Sequence, residues 1–121
     1  MTSLVLIVDD DFDLRDTLSD VLQDAGFAVA SAGDGIEALD YLRTGERPAV
    51  ILLDWMMPRC NGSQFRSEQL ADPAIAAIPV VLLTADTRRE EKMAELGVET
   101  YLAKPCDRET LLAAIRKYTP T

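Results

Sequence analysis

The chain has 121 residues, a formal net charge of −9 at pH 7 and 48% hydrophobic residues. A chain of this length buries one core, and its hydrophobic content is too high for an intrinsically disordered protein. The negative charge argues against a nucleic-acid surface, which needs a basic patch, and no apolar stretch is long enough to span a membrane. We expect one domain over residues 1–121 and no direct contact with nucleic acid or membrane.

Histidine is absent, and the only cysteines are Cys60 and Cys106. Zinc sites need several histidine or cysteine ligands, so a zinc site is excluded. So low a cysteine content is typical of reduced thiols in packing positions rather than of a disulfide framework. The N-terminus lacks a basic region followed by an apolar signal core. These features predict a cytoplasmic protein.

Five short apolar segments alternate with segments of helical periodicity. The predicted strands cover residues 4–8, 27–30, 50–53, 80–83 and 100–103. Continuously apolar runs among them are typical of strands buried on both faces of a sheet. Apolar residues recur with helical spacing over 14–25, 36–42 and 111–118. The segment 88–96 is mostly charged, so we expect it to form the least firmly packed and most mobile helix.

Helix-start signals support this pattern. Each signal is a capping side chain followed three residues later by an acid or amide, and the pairs are Asp34 with Glu37, Asn61 with Gln64, and Thr87 with Glu90. Successive β–α units predict an α/β fold, because right-handed crossovers place helices on both faces of a parallel sheet.

The polar residues of interest follow the predicted strands. Asp9 and Asp10 follow the first strand, Asp54 the third, Thr84 the fourth and Lys104 the fifth. In an open parallel sheet, ligands bind outside the carboxyl ends of the strands. We therefore expect these side chains, which are distant in sequence, to line one pocket.

Residues 9–13 contain four aspartates, at positions 9, 10, 11 and 13. Two unit charges about 4 Å apart repel by roughly 4 kcal/mol at an effective dielectric constant near 20. A small domain needs a cation to hold such charges together at the end of a buried strand. The cluster therefore predicts a divalent-metal site.

Four segments stand in order along the chain: IVDDD at 7–11, LDWMMP at 53–58, LTA at 83–85 and YLAKP at 101–105. With these segments the chain resembles the receiver domain of bacterial response regulators over essentially its whole length. The resemblance implies a doubly wound (βα)5, flavodoxin-like fold whose strand order is 2-1-3-4-5. It also implies a single receiver domain over residues 1–121, with no output domain.

The resemblance assigns Asp54 as the phosphoacceptor, which takes a phosphoryl group from a phosphohistidine. It assigns Lys104 and Thr84 to contacts with the phosphoryl oxygens. The donor would be a histidine kinase or a histidine phosphotransfer protein, because this chain has no histidine of its own. On this interpretation the protein is not an enzyme, since it catalyses only its own phosphorylation and dephosphorylation.

The same resemblance implies a Mg²⁺ site that Mn²⁺ would also fit. Asp10 and Asp54 would be direct ligands, and Asp9 would be a direct or water-mediated ligand. The backbone carbonyl of Met56 would be a further ligand. Met56 and Asp86 also occupy the positions that tune self-dephosphorylation in this family.

The output implied by the resemblance is a conformational change. Thr84 moves toward the phosphate and Tyr101 turns inward, which alters the surface formed by the last two helices and the strand between them. A downstream protein would bind this surface, and the chain would be a monomer or a weak dimer that depends on phosphorylation. The Lys104–Pro105 peptide bond is expected to be cis.

Three other functions fit parts of the pattern. A flavodoxin-like electron carrier needs a glycine- and hydroxyl-rich phosphate loop after the first strand, where Asp9, Asp10 and Asp11 would instead repel the flavin phosphate. A Mg²⁺-dependent phosphatase with an aspartyl nucleophile has a second acid two residues further on, where this chain has Met56. A receiver that acts by binding alone, without phosphorylation, is the main alternative.

Overall fold

A computed structural model describes residues 3–55, 57, 61–85 and 88–119. Its elements are β1 Leu4–Val8, α1 Phe12–Asp24, β2 Ala28–Ala32, α2 Gly35–Thr44, β3 Val50–Asp54, α3 Gly62–Ala71, β4 Val80–Thr84, α4 Arg89–Leu96, β5 Thr100–Ala103 and α5 Arg108–Arg116. The strands form one parallel sheet in the order β2-β1-β3-β4-β5. The predicted doubly wound α/β fold and its strand order are confirmed.

Strands β1, β3 and β4 are buried along their whole length, because helices cover both faces of the sheet. Successive residues of a strand enter two separate apolar clusters. In β1, Leu6 and Val8 pack with residues of α2, α3 and α4, whereas Val5 and Ile7 pack with residues of α1 and α5. The middle of the sheet is therefore closed to solvent, and polar side chains reach it only at the strand ends.

Strand β2 begins and ends later than the predicted segment 27–30. It is an edge strand, and each of its residues pairs in register with a residue of β1. Pairing with β1, rather than the apolar run, therefore sets its limits. Strands β3 and β4 each extend one residue beyond the prediction, so Asp54 and Thr84 are the last residues of their strands.

Two of the predicted helix starts are confirmed. The Asp34 side chain accepts a hydrogen bond from the Glu37 amide at 2.9 Å. Asn61 and Gln64 form a reciprocal capping box, in which each side chain accepts a hydrogen bond from the other residue's amide. These caps satisfy amides that the first helical turn leaves without partners.

The predicted helix 88–96 is observed as α4, which begins one residue later. Its N-cap residue Arg88 makes no side-chain capping hydrogen bond, and the predicted cap Thr87 lies outside the described residues. Gly97 ends the helix in the left-handed conformation, with φ at 69°. The mobility expected for this helix stays a prediction.

The composition predicted that the chain has no membrane-spanning segment. Among the helices that the structure describes, none is long and apolar enough to cross a membrane.

The composition also predicted that the cysteines are packing residues. Cys106 is a free thiol, half-buried against the α1 and α5 side of the core, where burial raises its pKa. A raised pKa disfavours the reactive thiolate, which suits a packing role. Cys60 lies outside the described residues.

Candidate functional site

The carboxyl ends of β1, β3, β4 and β5 surround one cavity of about 350 Å³. Its lining residues are Asp9, Asp10, Asp11, Asp54, Trp55, Thr84, Ala85 and Lys104. All the strand-end side chains that the sequence predicted to meet are therefore brought together. The cause is the parallel topology, because the ends of neighbouring parallel strands lie at the same edge of the sheet.

Three carboxylates form an acidic cluster in this cavity. One oxygen atom from each of Asp9, Asp10 and Asp54 lies within 4.8 Å of the other two. Asp9 and Asp54 are buried, with 0% and 4% of their surface exposed, whereas Asp10 is exposed. The Asp11 amide donates a hydrogen bond to Oδ1 of Asp9 at 2.9 Å. This hydrogen bond fixes Asp9 in the turn between β1 and α1, and Asp54 joins the cluster from the end of β3.

Two further contacts shape this turn, and neither was identified from the sequence. The Asp11 side chain caps α1 by accepting a hydrogen bond from the Leu14 amide at 3.2 Å. The Arg15 guanidinium donates to the backbone carbonyl of Asp9 at 3.0 Å. An Asp before a helical pattern was a usable signal for the cap. No sequence pattern shows that Arg15 folds back onto the strand end.

Lys104 is the cation of the cavity. Its Nζ lies 3.0 Å from Oδ2 of Asp9 and 3.1 Å from Oδ1 of Asp54, and its amide donates to the Thr84 carbonyl at 2.9 Å. Burial alone would lower the pKa of Lys104, but its contacts with the two carboxylates raise that pKa above the usual value. The ammonium therefore stays charged. The Lys104–Pro105 peptide bond is cis, as the resemblance implied.

Lys104 does not neutralise the whole cluster. Burial, followed by repulsion from Asp9, raises the pKa of Asp54 from 3.8 to about 6, although the contacts with Lys104 act in the opposite direction. Asp9 Oδ2 is fully buried and faces the ammonium without a well-aligned hydrogen bond in the described part of the chain. One ammonium among three carboxylates leaves net negative charge, and the free donors are oxygens. These residues fit a hard divalent cation.

The two predicted switch residues lie on adjacent strands. Thr84, at the end of β4, is 2% exposed and lines the cavity. Tyr101, on β5, is half-buried against the α2, α3 and α4 side of the core and is not among the lining residues. The Arg89 guanidinium lies 4.9 Å from the centre of the Tyr101 ring. Met56 and Asp86 lie outside the described residues, so their roles stay predictions.

Gly62, the first residue of α3, lies against the end of β3. Its amide donates to the Trp55 carbonyl at 3.1 Å. A Cβ atom at Gly62 would lie 3.1 Å from the Asp54 carbonyl oxygen and 3.2 Å from Trp55 Cα. Both contacts are to backbone, which yields less easily than a side chain. The absence of a side chain at this position lets α3 approach the end of β3.

Gly62→Ala is therefore expected to lower the free energy of unfolding by about 1–3 kcal/mol, as overpacking does in well-packed interiors. Alanine would otherwise favour the helix by about 1 kcal/mol over glycine, so the sign of the change tests the crowding. Urea unfolding of Gly62→Ala against Ser63→Ala, in the same helical turn, would measure it. A stabilised Gly62→Ala variant would show that β3 and α3 separate without cost.

The chain is similar to known proteins in both sequence and structure. A family model described as "Response regulator receiver domain" matches residues 5–116. Response regulator MprA of Mycobacterium tuberculosis (strain ATCC 25618 / H37Rv) is 39% identical over 118 residues, which are 96% of this chain and 50% of that protein. DNA-binding response regulator MtrA of Mycobacterium leprae (strain TN) is 37% identical, with 96% of this chain and 51% of that protein covered. The chain spans about half the length of these curated relatives.

Solved structures of receiver proteins are also similar to this chain. Chemotaxis protein CheY4 of Vibrio cholerae matches with a TM-score of 0.90 at 32% identity, covering 98% of this chain and 100% of that one. The receiver domain of sensor histidine kinase PA1611 from Pseudomonas aeruginosa PAO1 matches with a TM-score of 0.88 at 26% identity, covering 98% of each chain. That receiver has a magnesium ion coordinated in its active site cleft. Fold and sequence thus point to the same group of proteins.

Proposed function

This chain belongs to the response regulator receiver domain family, and we propose that Asp54 is its phosphoacceptor in two-component signalling. The observation that carries the proposal is the position of the Asp54 carboxylate, 3.1 Å from the Lys104 ammonium and within 4.8 Å of two other carboxylates. A buried carboxylate with a raised pKa, beside a cation and an acidic cluster in one cavity, is typical of a reactive site.

The proposed reaction is the transfer of a phosphoryl group from a phosphohistidine. An Asp54 oxygen attacks the phosphorus atom, the new O–P bond forms, and the P–N bond breaks with its electron pair left on the imidazole nitrogen. Negative charge spreads over the phosphoryl oxygens in the transition state. The Lys104 ammonium offsets part of that charge, and the Thr84 hydroxyl donates to one of these oxygens. On this proposal the receiver catalyses only its own phosphorylation and dephosphorylation.

Mg²⁺ is the proposed cofactor, since a hard cation suits an oxygen-only donor set with excess negative charge. Asp9, Asp10 and Asp54 would hold it, together with the backbone carbonyl of Met56, which lies outside the described residues. When bound, the ion would neutralise charge on the transferring phosphoryl group. The magnesium in the cleft of the similar PA1611 receiver supports this assignment. Mn²⁺ fits the same ligands.

The proposed donor is a histidine kinase or a histidine phosphotransfer protein. A groove of about 510 Å³ between α1 and α5 opens beside the acidic cavity, and Asp11, Ala85 and Lys104 line both. Its other walls are mainly apolar, and Phe12 at the start of α1 is 67% exposed. An apolar surface continuous with the phosphoacceptor cavity suits a partner that must place its phosphohistidine within reach of Asp54.

The proposed output is a change in the surface formed by α4, β5 and α5, driven by Thr84 and Tyr101. This surface would bind a downstream protein, or a second copy of the chain in a weak phosphorylation-dependent dimer. One relative is a DNA-binding response regulator about twice as long as the matched region. If a DNA-binding step follows in the pathway of this chain, we assign it to a separate segment or protein. The net charge of −9 on this chain disfavours direct contact with nucleic acid.

Intact mass after incubation with acetyl phosphate tests the phosphoacceptor. We expect one phosphoryl adduct that requires Mg²⁺, disappears with EDTA, and maps to the peptide containing Asp54. An adduct on another residue would contradict the assignment. If neither acetyl phosphate nor a phosphohistidine donor gives an adduct, although Mg²⁺ changes the fluorescence of Trp55, the receiver that acts by binding alone becomes the better interpretation.

A further inference from the structure

Helix α4 has few apolar attachments to the rest of the protein. Its sequence is REEKMAEL, and only Lys92 and Leu96 of its residues are buried. Its N-cap residue makes no side-chain capping hydrogen bond. Helices of this length are marginal without tertiary contacts. Contacts of another kind therefore contribute to the position of α4.

Two cations on α4 lie over aromatic rings, one of Trp55, which follows β3, and one of Tyr101, which lies in β5. Nζ of Lys92 is 4.0 Å from the centre of the Trp55 ring, and Cζ of Arg89 is 4.9 Å from the centre of the Tyr101 ring. The two cations are three residues apart, so they project from one side of the helix. Lys92 is only 8% exposed, so its cation–π contact with the Trp55 ring is largely desolvated, which strengthens such a contact.

Trp55 connects this contact to the phosphoacceptor. It directly follows Asp54 and lines the acidic cavity. Its amide donates to the Leu83 carbonyl at 3.4 Å, and its carbonyl accepts from the Gly62 amide at 3.1 Å. The backbone of Trp55 is thus held from two sides. Lys92 therefore contacts a residue that is bonded directly to Asp54 and lines the same cavity.

We propose that Lys92 is a positioning residue whose cation–π contact with Trp55 latches α4 in the arrangement that precedes phosphorylation. This inference rests on the proposed function. When phosphorylation turns Tyr101 inward, its ring leaves Arg89, and on this proposal α4 shifts so that Lys92 leaves the Trp55 ring as well. A contact made in one state and lost in the other favours the first state. The latch therefore opposes the change that phosphorylation drives.

Trp55 is the only tryptophan of the chain, so its fluorescence reports on this contact directly. In metal-free protein, Lys92→Met keeps the length of the side chain and removes its charge. We expect about twofold faster acrylamide quenching of Trp55 in this variant, because the cation that holds the side chain over the indole is gone. Lys92→Arg keeps a cation over the ring and should remain near the wild type. Lys92→Gln serves if Lys92→Met does not fold.

The latch itself is tested by the affinity for beryllofluoride with Mg²⁺, a mimic of the phosphoryl group. Lys92→Met is expected to bind it about three- to tenfold more tightly, because the opposing contact is gone. Loss of a positive charge alone would weaken the binding of an anion, so the sign separates the two effects. The matched control is Lys117→Met, an exposed lysine 5.6 Å from the Tyr118 ring centre, which should leave the affinity unchanged.

Equal or weaker binding by Lys92→Met would overturn the latch, and so would unchanged quenching. The failure of the proposed function looks different. In that case the wild type and Lys117→Met would not bind the mimic either, and the latch would fall together with the function on which it rests. Tighter binding of the mimic and faster quenching in Lys92→Met, with both values near the wild type in Lys92→Arg, would support the latch and the proposed function.

Discussion

Asp54→Asn is expected to stabilise the metal-free protein by roughly 3 kcal/mol near neutral pH, since one pKa unit corresponds to about 1.4 kcal/mol. Burial, followed by repulsion from Asp9, raises the pKa of Asp54 from 3.8 to about 6 in the folded protein. Above that pH the ionised carboxylate disfavours folding, and the neutral amide removes this cost. Urea unfolding in the presence of EDTA measures the difference.

The gain should depend on pH in a definite direction. Below 3.8, Asp54 is protonated in both the folded and the unfolded state, so the substitution should change little. Between 3.8 and about 6 only the unfolded state is ionised, and the wild type loses stability relative to the variant as the pH rises. Above about 6 the gain is complete. Asp40→Asn, at an exposed site on α2, should show no such window; an equal gain at every pH would contradict the pKa assignment.

The same variant has the opposite effect on the proposed function. Without the nucleophilic carboxylate, the phosphoryl adduct should disappear entirely. Mg²⁺ should also stabilise the wild type more than Asp54→Asn, because a ligand of the folded state raises stability with the logarithm of its concentration relative to Kd, and the variant has lost a ligand carboxylate. A variant that is more stable and yet still forms the adduct would show that another residue accepts the phosphoryl group.

Lys104→Met is expected to lower the free energy of unfolding by about 3–5 kcal/mol near neutral pH without metal. The variant keeps the length of the side chain but leaves Asp9 and Asp54 buried without their cation, which lies 3.0 and 3.1 Å away in the wild type. The loss should shrink at pH values below the pKa of Asp54, where protonation neutralises one of the two uncompensated carboxylates. Urea unfolding across this pH range is the measurement.

Phosphorylation should respond to Lys104→Met as well. Loss of a cation that faces the developing charge slows such reactions by about 100-fold or more. The initial rate of adduct formation with acetyl phosphate and saturating Mg²⁺ measures this effect. Lys117→Met loses the same charge at an exposed position and should keep the wild-type rate and stability. Unchanged stability of Lys104→Met would mean that Lys104 is not the counter-ion of the cluster in solution.

The fold followed from local patterns where burial is complete. Strands β1, β3 and β4 are buried on both faces, so their apolar runs marked them to within one residue. The edge strand β2 was placed less well, because its limits depend on its pairing with β1. The start of α4 was also misjudged by one residue, since a mostly charged segment carries little apolar periodicity. The strand order came from the family resemblance and not from composition or spacing.

The sequence alone determined which residues line the acidic cavity. Acids, a hydroxyl and a lysine follow the apolar runs, and the ends of neighbouring parallel strands meet at one edge of the sheet. Tertiary structure decided what each group experiences there. The 3.0 and 3.1 Å ion pairs of Lys104, the raised pKa of Asp54, the crowding at Gly62 and the Lys92 contact with Trp55 all join separate segments. Such distances depend on how helices pack on the sheet. These distances cannot be inferred from the spacing of residues along the chain.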